Sequence, residues 1–332
     1  MRTTEARRRG SEGAALLAVL WLAAALSAIA FTLANSVRGD VERSSTDADS
    51  LKAYYLATGA IDRTLVYIES AGAFPGPDGK PRFQPQITRI LDLDFPIGTA
   101  RVEYIPENAK LNVNLAPPPL LNNLLVALGV DPARAQAIVA GIVDWRSGTP
   151  GGSFSEFDQY YMSLTPSFRA RHASLQEIEE LLMVRGVTPE LFYGGYTRDA
   201  QDRLVRHDGL RDCLSVYGSN GLLDVNTVTP EVMVAIGIPP SSAAGIVALR
   251  NIAPIQNLGQ LGPFRNGGPG VARLGMAGGS IVTLRATARL RLPDGRFSDV
   301  HRTVAAMVKL LGPEFSPPFQ IMRWYDNTSI LQ

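Results

Sequence analysis

The sequence predicts an α+β protein in which one long N-terminal helix carries an α/β head, and a large helical insert interrupts that head. Three observations predict it. Residues 14–35 are continuously apolar, with no charge between Glu12 and Arg38. The helical pattern then continues past that stretch. Finally, strand-like alternation appears only near 98–113 and again after 280, with short helical pieces between.

The stretch Ala14 to Asn35 comes first. About 22 residues at a rise of about 1.5 Å span roughly 33 Å, enough for a hydrocarbon core of about 30 Å. Leu17, Ala18, Trp21 and Leu33 belong to it, and Arg2, Arg7, Arg8 and Arg9 precede it. The positive-inside tendency keeps the N-terminus in the cytoplasm and exports the rest. Three readings compete: a plain signal anchor; a cleaved secretory signal with Ala28-Ile29-Ala30 as its small-x-small site; and a leader cut on the cytoplasmic side just before the apolar run, so that the helix is retained. Gly13, directly before the run, favours the third. So does the spacing of Leu33, Val37, Val41, Leu51, Tyr55, Ile61, Leu65 and Ile68, mostly three or four residues apart. A helix from about 14 to 70 would be about 85 Å long, bare and apolar in its first half and amphipathic in its second.

Composition narrows the function classes. The chain has 332 residues, 45% of them hydrophobic, and a formal net charge of +1. It is no general polyanion binder by charge. Cys213 is the only cysteine, which excludes an intrachain disulfide and a cysteine zinc site. With His172, His207 and His301 scattered, it reads as a small buried hydrophobe. No Gly-x-Ser-x-Gly, His-Glu-x-x-His or phosphate loop occurs, so no catalytic residue is assigned and the chain is not read as an enzyme.

After the long helix, Pro77-Asp78-Gly79 is a turn, 98–105 a strand, and Leu111-Asn112-Val113-Asn114 extended. From there to about 275 the chain is mostly short helices. Asp131-Pro132, Thr188-Pro189 and Thr229-Pro230 each place a cap before a first-turn proline. Ser174-Leu175-Gln176-Glu177 is a capping box.

An internal repeat lies here. Leu111-Asn112-Val113-Asn114, Leu128-Gly129-Val130 and Ala137-Ile138-Val139 correspond to Leu223-Asp224-Val225-Asn226, Ile236-Gly237-Ile238 and Gly245-Ile246-Val247, with Leu182 to Val187 as a partial third copy. The unit, two short helices about a tight glycine turn, resembles the helix-hairpin-helix module. That resemblance suggests a rival function, a membrane-tethered DNA-binding protein of a competence-like system. Its mechanism needs free backbone N–H groups at a helix start. Gly129-Val130-Asp131 and Gly237-Ile238-Pro239 lack the second glycine, Asp131 repels phosphate, and Pro239 has no N–H. The repeats are therefore read as packing units, with no nucleic acid partner.

From Ser280 the pattern is β again. Pro293-Asp294-Gly295 makes a hairpin turn, residues 297–310 a strand, and Phe319 to Tyr325 a last one.

Gly13 before Ala14-Ala15-Leu16-Leu17, Tyr54-Tyr55-Leu56-Ala57, Lys110-Leu111-Asn112-Val113-Asn114, Ile142-Val143-Asp144-Trp145-Arg146 and Asp224-Val225-Asn226-Thr227, in this order, carry a further resemblance. The chain resembles the K-type minor pseudopilins of the type II (general) secretion pathway over nearly its whole length. The resemblance implies a leader of residues 1–13, a transmembrane helix of 14–35, a pilin-like α/β head of 36–110 and 276–332, and a helical insert of 111–275. It implies cleavage by prepilin peptidase between Gly13 and Ala14, with N-methylation of Ala14. Gly10 is the alternative, although cutting there leaves Glu12 in the apolar segment at a cost of a few kcal/mol.

The implied role is to cap the pseudopilus tip with the I- and J-type minor pseudopilins and help start assembly. Other pseudopilins and the inner-membrane assembly platform would be further partners. The implied location is the bacterial inner membrane, single-pass, with a periplasmic C-terminal domain. Most pilin-like subunits carry Glu at the fifth mature position, where this chain has Ala18. That suits a subunit with nobody ahead of it. The resemblance also associates calcium with the region after the Asp-Trp pair. Here only a weak site of Asp144, Glu156 and Asp158 can be assembled, against the simpler reading of a capping aspartate and surface acids. No cofactor is otherwise expected.

Overall fold

The computed structural model describes residues 5–326 apart from 70–74, 77–78, 80, 86–87, 199–200, 277–278 and 313; the side chains of 5–13 and 150 are also outside the description. Most of the Pro77-Asp78-Gly79 turn and the first four leader residues therefore lie outside the described residues.

Helix α1 (Glu5–Glu69) is uninterrupted over 65 residues, roughly 98 Å at the standard rise. Residues 14–38 of it are all exposed. Burial begins at Ser50, whose hydroxyl accepts a hydrogen bond from Arg302 Nε. From there Ala53, Leu56, Ala57, Ala60, Ile61 and Leu65 form the buried face, at steps of one, three and four. This differs from the stripe expected from the sequence, because Leu51 and Tyr55 are exposed on the opposite side. Alanines make up half of the docked face, where α1 packs against the sheet.

That sheet has five antiparallel strands: β1 (Ile90–Phe95), β2 (Gly98–Pro106), β3 (Ile281–Arg291), β4 (Phe297–Leu310) and β5 (Phe319–Tyr325), in that spatial order. It is a simple meander in space, although residues 107–280 intervene between β2 and β3. Pairing from Gly98↔Leu290 to Pro106↔Val282 turns Val282, Leu284, Ala286, Ala288 and Leu290 toward α1. Gly98 permits the contact, since a Cβ there would sit 2.2 Å from Arg289 O and 2.9 Å from Leu56 Cδ2. The β3–β4 hairpin closes at Gly295, in the left-handed region at φ +85°. Strand β1 had no reading from the sequence. Asp92 and Asp94 interrupt its apolar pattern because it is an edge strand with only Leu93 buried.

The intervening segment forms a second core, drawn from residues between Leu111 and Leu274. It contains α2 (Pro118–Ala127), α3 (Pro132–Arg146), α4 (Glu156–Met162), α5 (Pro230–Ala235) and α6 (Pro240–Ile252), with shorter turns between. Gly129 and Gly237 join α2 to α3 and α5 to α6 at φ +84° and +97°.

The two halves of this segment share one hydrogen-bond scheme. Asn114 exchanges two bonds with the backbone of Leu175, both 2.8–2.9 Å, and Asn226 does the same with Ile255. Arg146 donates to Val113 O and Ala116 O; Arg250 donates to Val225 O and Val228 O. Leu111-Asn112 pairs in parallel with Leu214-Ser215, and Leu223-Asp224 with Leu274-Gly275.

This scheme corrects the sequence alignment by one helical turn. Ala140-Gly141-Ile142-Val143 to Arg146, not Ala137-Ile138-Val139, matches Ala244-Gly245-Ile246-Val247 to Arg250, because the two arginines anchor the register. Residues 182–187 are not a third copy. They begin within the 3-10 turn Ile178–Met183, whose counterpart in the second half is Leu258–Phe264. Glu180 Oε1 takes the N–H groups of Gln176 and Glu177, as Gln260 Oε1 takes those of Gln256 and Asn257. The capping carboxylate is thus Glu180, where Ser174 was expected to cap.

Candidate functional site

The bare half of α1 is the first candidate surface. It is long and apolar enough to cross a membrane, and none of its most apolar 18-residue stretch is buried. Gly13 and Ala14 both lie within the helix. Leu17, Ala18, Trp21 and Leu33 are exposed around its circumference, Trp21 at 75%. So large an exposed apolar surface fits a membrane anchor. Beyond it the polar residues begin, with exposed pairs Asp40–Arg43 at 3.6 Å and Asp49–Lys52 at 3.0 Å.

Of the carboxylates considered for calcium, Asp144 and Asp158 both hydrogen-bond to Ser155, whereas Glu156 is exposed. Asp158 is fully buried at the start of α4. It accepts hydrogen bonds from Ser155 N and Ala170 N at 3.1 Å, from Arg169 Nε at 3.2 Å, and shares 2.8 Å with His172 Nε2. Burial pushes its pKa up, but the bonds from His172, the two backbone N–H groups and Arg169 outweigh burial and hold it at about 2. His172 is pulled down by burial and more than compensated by Asp158 and by Asp144 O, so its pKa lies above the usual value. Asp144 receives Ser155 Oγ at 3.2 Å, and Glu156 is exposed. Among the described residues no three His, Cys, Asp or Glu side chains are grouped to hold a metal. Asp158 is engaged by four protein donors, one of them a guanidinium. Nothing in the spacing of His172 ties it to Asp158, so its part here has no signal in the sequence.

The helix starts proposed for phosphate are also filled. The Asp131 carboxylate accepts from Ala133 N at 3.0 Å and Arg134 N at 3.2 Å, and Pro239 and Pro240 open α6 without an N–H between them. The DNA-binding alternative loses its mechanism at both turns. Cys213 is fully buried, and burial raises its thiol well above the ordinary range.

A cleft of about 1390 Å³ lies between the outer face of the sheet and the helical segment, lined by Arg101, Arg285, Arg211, Asp212, Tyr217 and Tyr325 among others. Most of its charges are paired within the molecule: Arg101 with Asp92, Arg285 with Glu103, Lys110 with Glu107, and Arg206 with Asp208 and Asp212. Arg323 of β5 and Glu177 form an ion pair across it.

Residues 104–193, from the end of β2 through the first repeat, match the family described as "Type II secretion system (T2SS), protein K". The resemblance to the K-type minor pseudopilins holds. The fold is similar to a chain in the crystal structure of the GspK-GspI-GspJ complex from the enterotoxigenic Escherichia coli type 2 secretion system. The TM-score is 0.50 at 14% identity, and the match covers 87% of this chain and 98% of that one. No curated protein sequence matches. The family match covers about a quarter of the chain, the structural likeness at 14% identity shows the fold, and α1 fits a membrane anchor.

Proposed function

We propose that this chain is the tip subunit of a type II secretion pseudopilus, assembled with I- and J-type minor pseudopilins and helping to start the filament at the inner-membrane assembly platform. The observation that carries this reading is where the protein K match falls. It spans the junction at which the sheet is interrupted and the insert begins, on a chain whose α1 is otherwise bare to Asp49.

The geometry suits a tip. Residues 107–280 form a second body between neighbouring strands β2 and β3, which obstructs stacking of another copy above. Ala18 leaves the apolar segment without an acid to meet the amine of a subunit ahead. The N-terminus stays cytoplasmic and the head is periplasmic. Prepilin peptidase cuts between Gly13 and Ala14, and Ala14 is methylated. The filament then drives export of folded proteins across the outer membrane.

Co-expression of the full chain with the I- and J-type proteins of the same system, followed by membrane extraction and size-exclusion chromatography, tests this. An equimolar three-protein complex is expected. A chain that elutes without either partner contradicts the reading, and salt-sensitive retention on DNA would favour the competence-like alternative.

A further inference from the structure

The two repeats differ most just after their anchoring arginines. Ile255, which exchanges bonds with Asn226, follows Arg250 by five positions. Leu175, which exchanges bonds with Asn114, follows Arg146 by 29. The first repeat therefore carries an excursion, 147–174, that the second does without. It contains α4, and its apolar part packs through Trp145, Tyr161 and Phe168, with ring centroids 5.1–6.2 Å apart.

One guanidinium fastens the loop before α4 to the chain after it. Arg169 Nη2 donates to Gly152 O and to Ser153 O, both at 2.8 Å. Its Nε donates to Asp158 Oδ2 at 3.2 Å, and that carboxylate is fully buried. The loop can fold back on the arginine because Gly151 and Gly152 are both left-handed, at φ +62° and +70°. The Phe154 ring lies over the guanidinium, 4.4 Å from Cζ. Phe154 is itself 62% exposed, so its ring covers the charge rather than filling a core. Two carbonyl oxygens and a buried carboxylate oxygen thus face a single positive charge. Oxygens of these two kinds are what a hard divalent cation takes from a loop. Here a side chain supplies the charge.

We propose that Arg169 is the built-in cation of this excursion, closing the loop 147–155 onto α4 without an added divalent metal. Arginine suits the task because its rigid fork reaches several acceptors at once and never loses its charge. A lysine brings the charge as a point and lacks the fork. Truncation of Arg169 leaves Gly152 O, Ser153 O and Asp158 Oδ2 without the cation they face. The shortened variant then acquires what the natural chain does not need, a response to calcium.

The test is amide hydrogen exchange over residues 147–158 of the full detergent-extracted chain, read by mass spectrometry in EDTA and in millimolar calcium chloride. The unaltered chain is expected to exchange equally in both. R169A should exchange about tenfold faster in EDTA, and calcium should slow it again. R169K should fall between the two. Thermal melting of each variant separates opening of this loop from loss of the fold. Calcium that slows exchange in the unaltered chain overturns the proposal. So does an R169A chain that exchanges no faster, or one that exchanges faster and gains nothing from calcium, since an ordinary ion pair would behave that way.

Discussion

Arg89 Nη2 lies 2.8 Å from Asp224 Oδ2, and this ion pair ties the sheet-bearing head to the second half of the helical segment. Asp224 is only 2% exposed. Burial raises its pKa, and Arg89, Thr227 and Arg250 act against that rise. The equivalent position in the first repeat is Asn112, whose Oδ1 accepts from Asn114 N at 2.9 Å and Leu115 N at 3.2 Å. The duplicated unit thus differs, at one position, in what fastens it to the head. Arg89→Ala strands a buried carboxylate and should cost about 3 kcal/mol in chemical denaturation. Asp224→Asn, which restores the residue of the first repeat, should cost clearly less.

The Asp158–His172 pair predicts a stability optimum in mildly acidic solution. Asp158 has a folded pKa of about 2, below its unfolded value near 3.9, so its contribution is present above about pH 4 and is lost as pH falls toward 2. His172 has a raised pKa, so its contribution is full below about 6.5 and is lost as pH rises through the folded value. The denaturation midpoint should therefore fall on both sides of the window from roughly pH 4 to 6.5. His172→Ala should flatten the alkaline side.

Asp208 titrates in the other direction. Burial, then Asp212 and Glu231, raise its pKa to about 6, against the pull of Arg206. The folded state holds the proton more tightly than the unfolded one, so stability rises as pH drops through about 6 toward 4 and levels off below. Asp208→Asn should stabilise the protein at pH about 7.5 and make no difference near pH about 4, as read by paired melting curves.

Gly98 and Gly59 should respond oppositely to a methyl group. At Gly98 the added carbon meets Arg289 O at 2.2 Å, a backbone atom that cannot step aside. Gly98→Ala should destabilise by about 1–3 kcal/mol. At Gly59 the space is open, and Gly59→Ala should stabilise the isolated protein by about 0.5–1 kcal/mol through helix propensity.

Where the sequence spoke clearly, it did so through strong local signals. The charge-free run to Leu33, the caps set before a proline and the turn at Gly295 each have one local cause. The docked face of α1 was misread because Ala53, Ala57 and Ala60 carry little hydrophobic signal, while exposed Leu51 and Tyr55 carry much. The repeat was visible, but its register was set by Arg146 and Arg250, whose bonds run to carbonyls more than twenty residues away. The identical Ala-Gly-Ile-Val…Arg spacing was the available clue. Asp158 was named for a metal because spacing alone cannot reveal four protein donors arriving from Ser155, Arg169, Ala170 and His172. Arg89 had no signal at all, since its partner is fixed only by how two cores meet.

Mass spectrometry of the N-terminus of the membrane-extracted protein, with and without prepilin peptidase, tests the central claim most directly. The account predicts a mature chain beginning at N-methylated Ala14, formed only when the peptidase is present. A chain beginning at Phe31, cut after Ala28-Ile29-Ala30, or one still beginning at Met1 with the peptidase active, would contradict it.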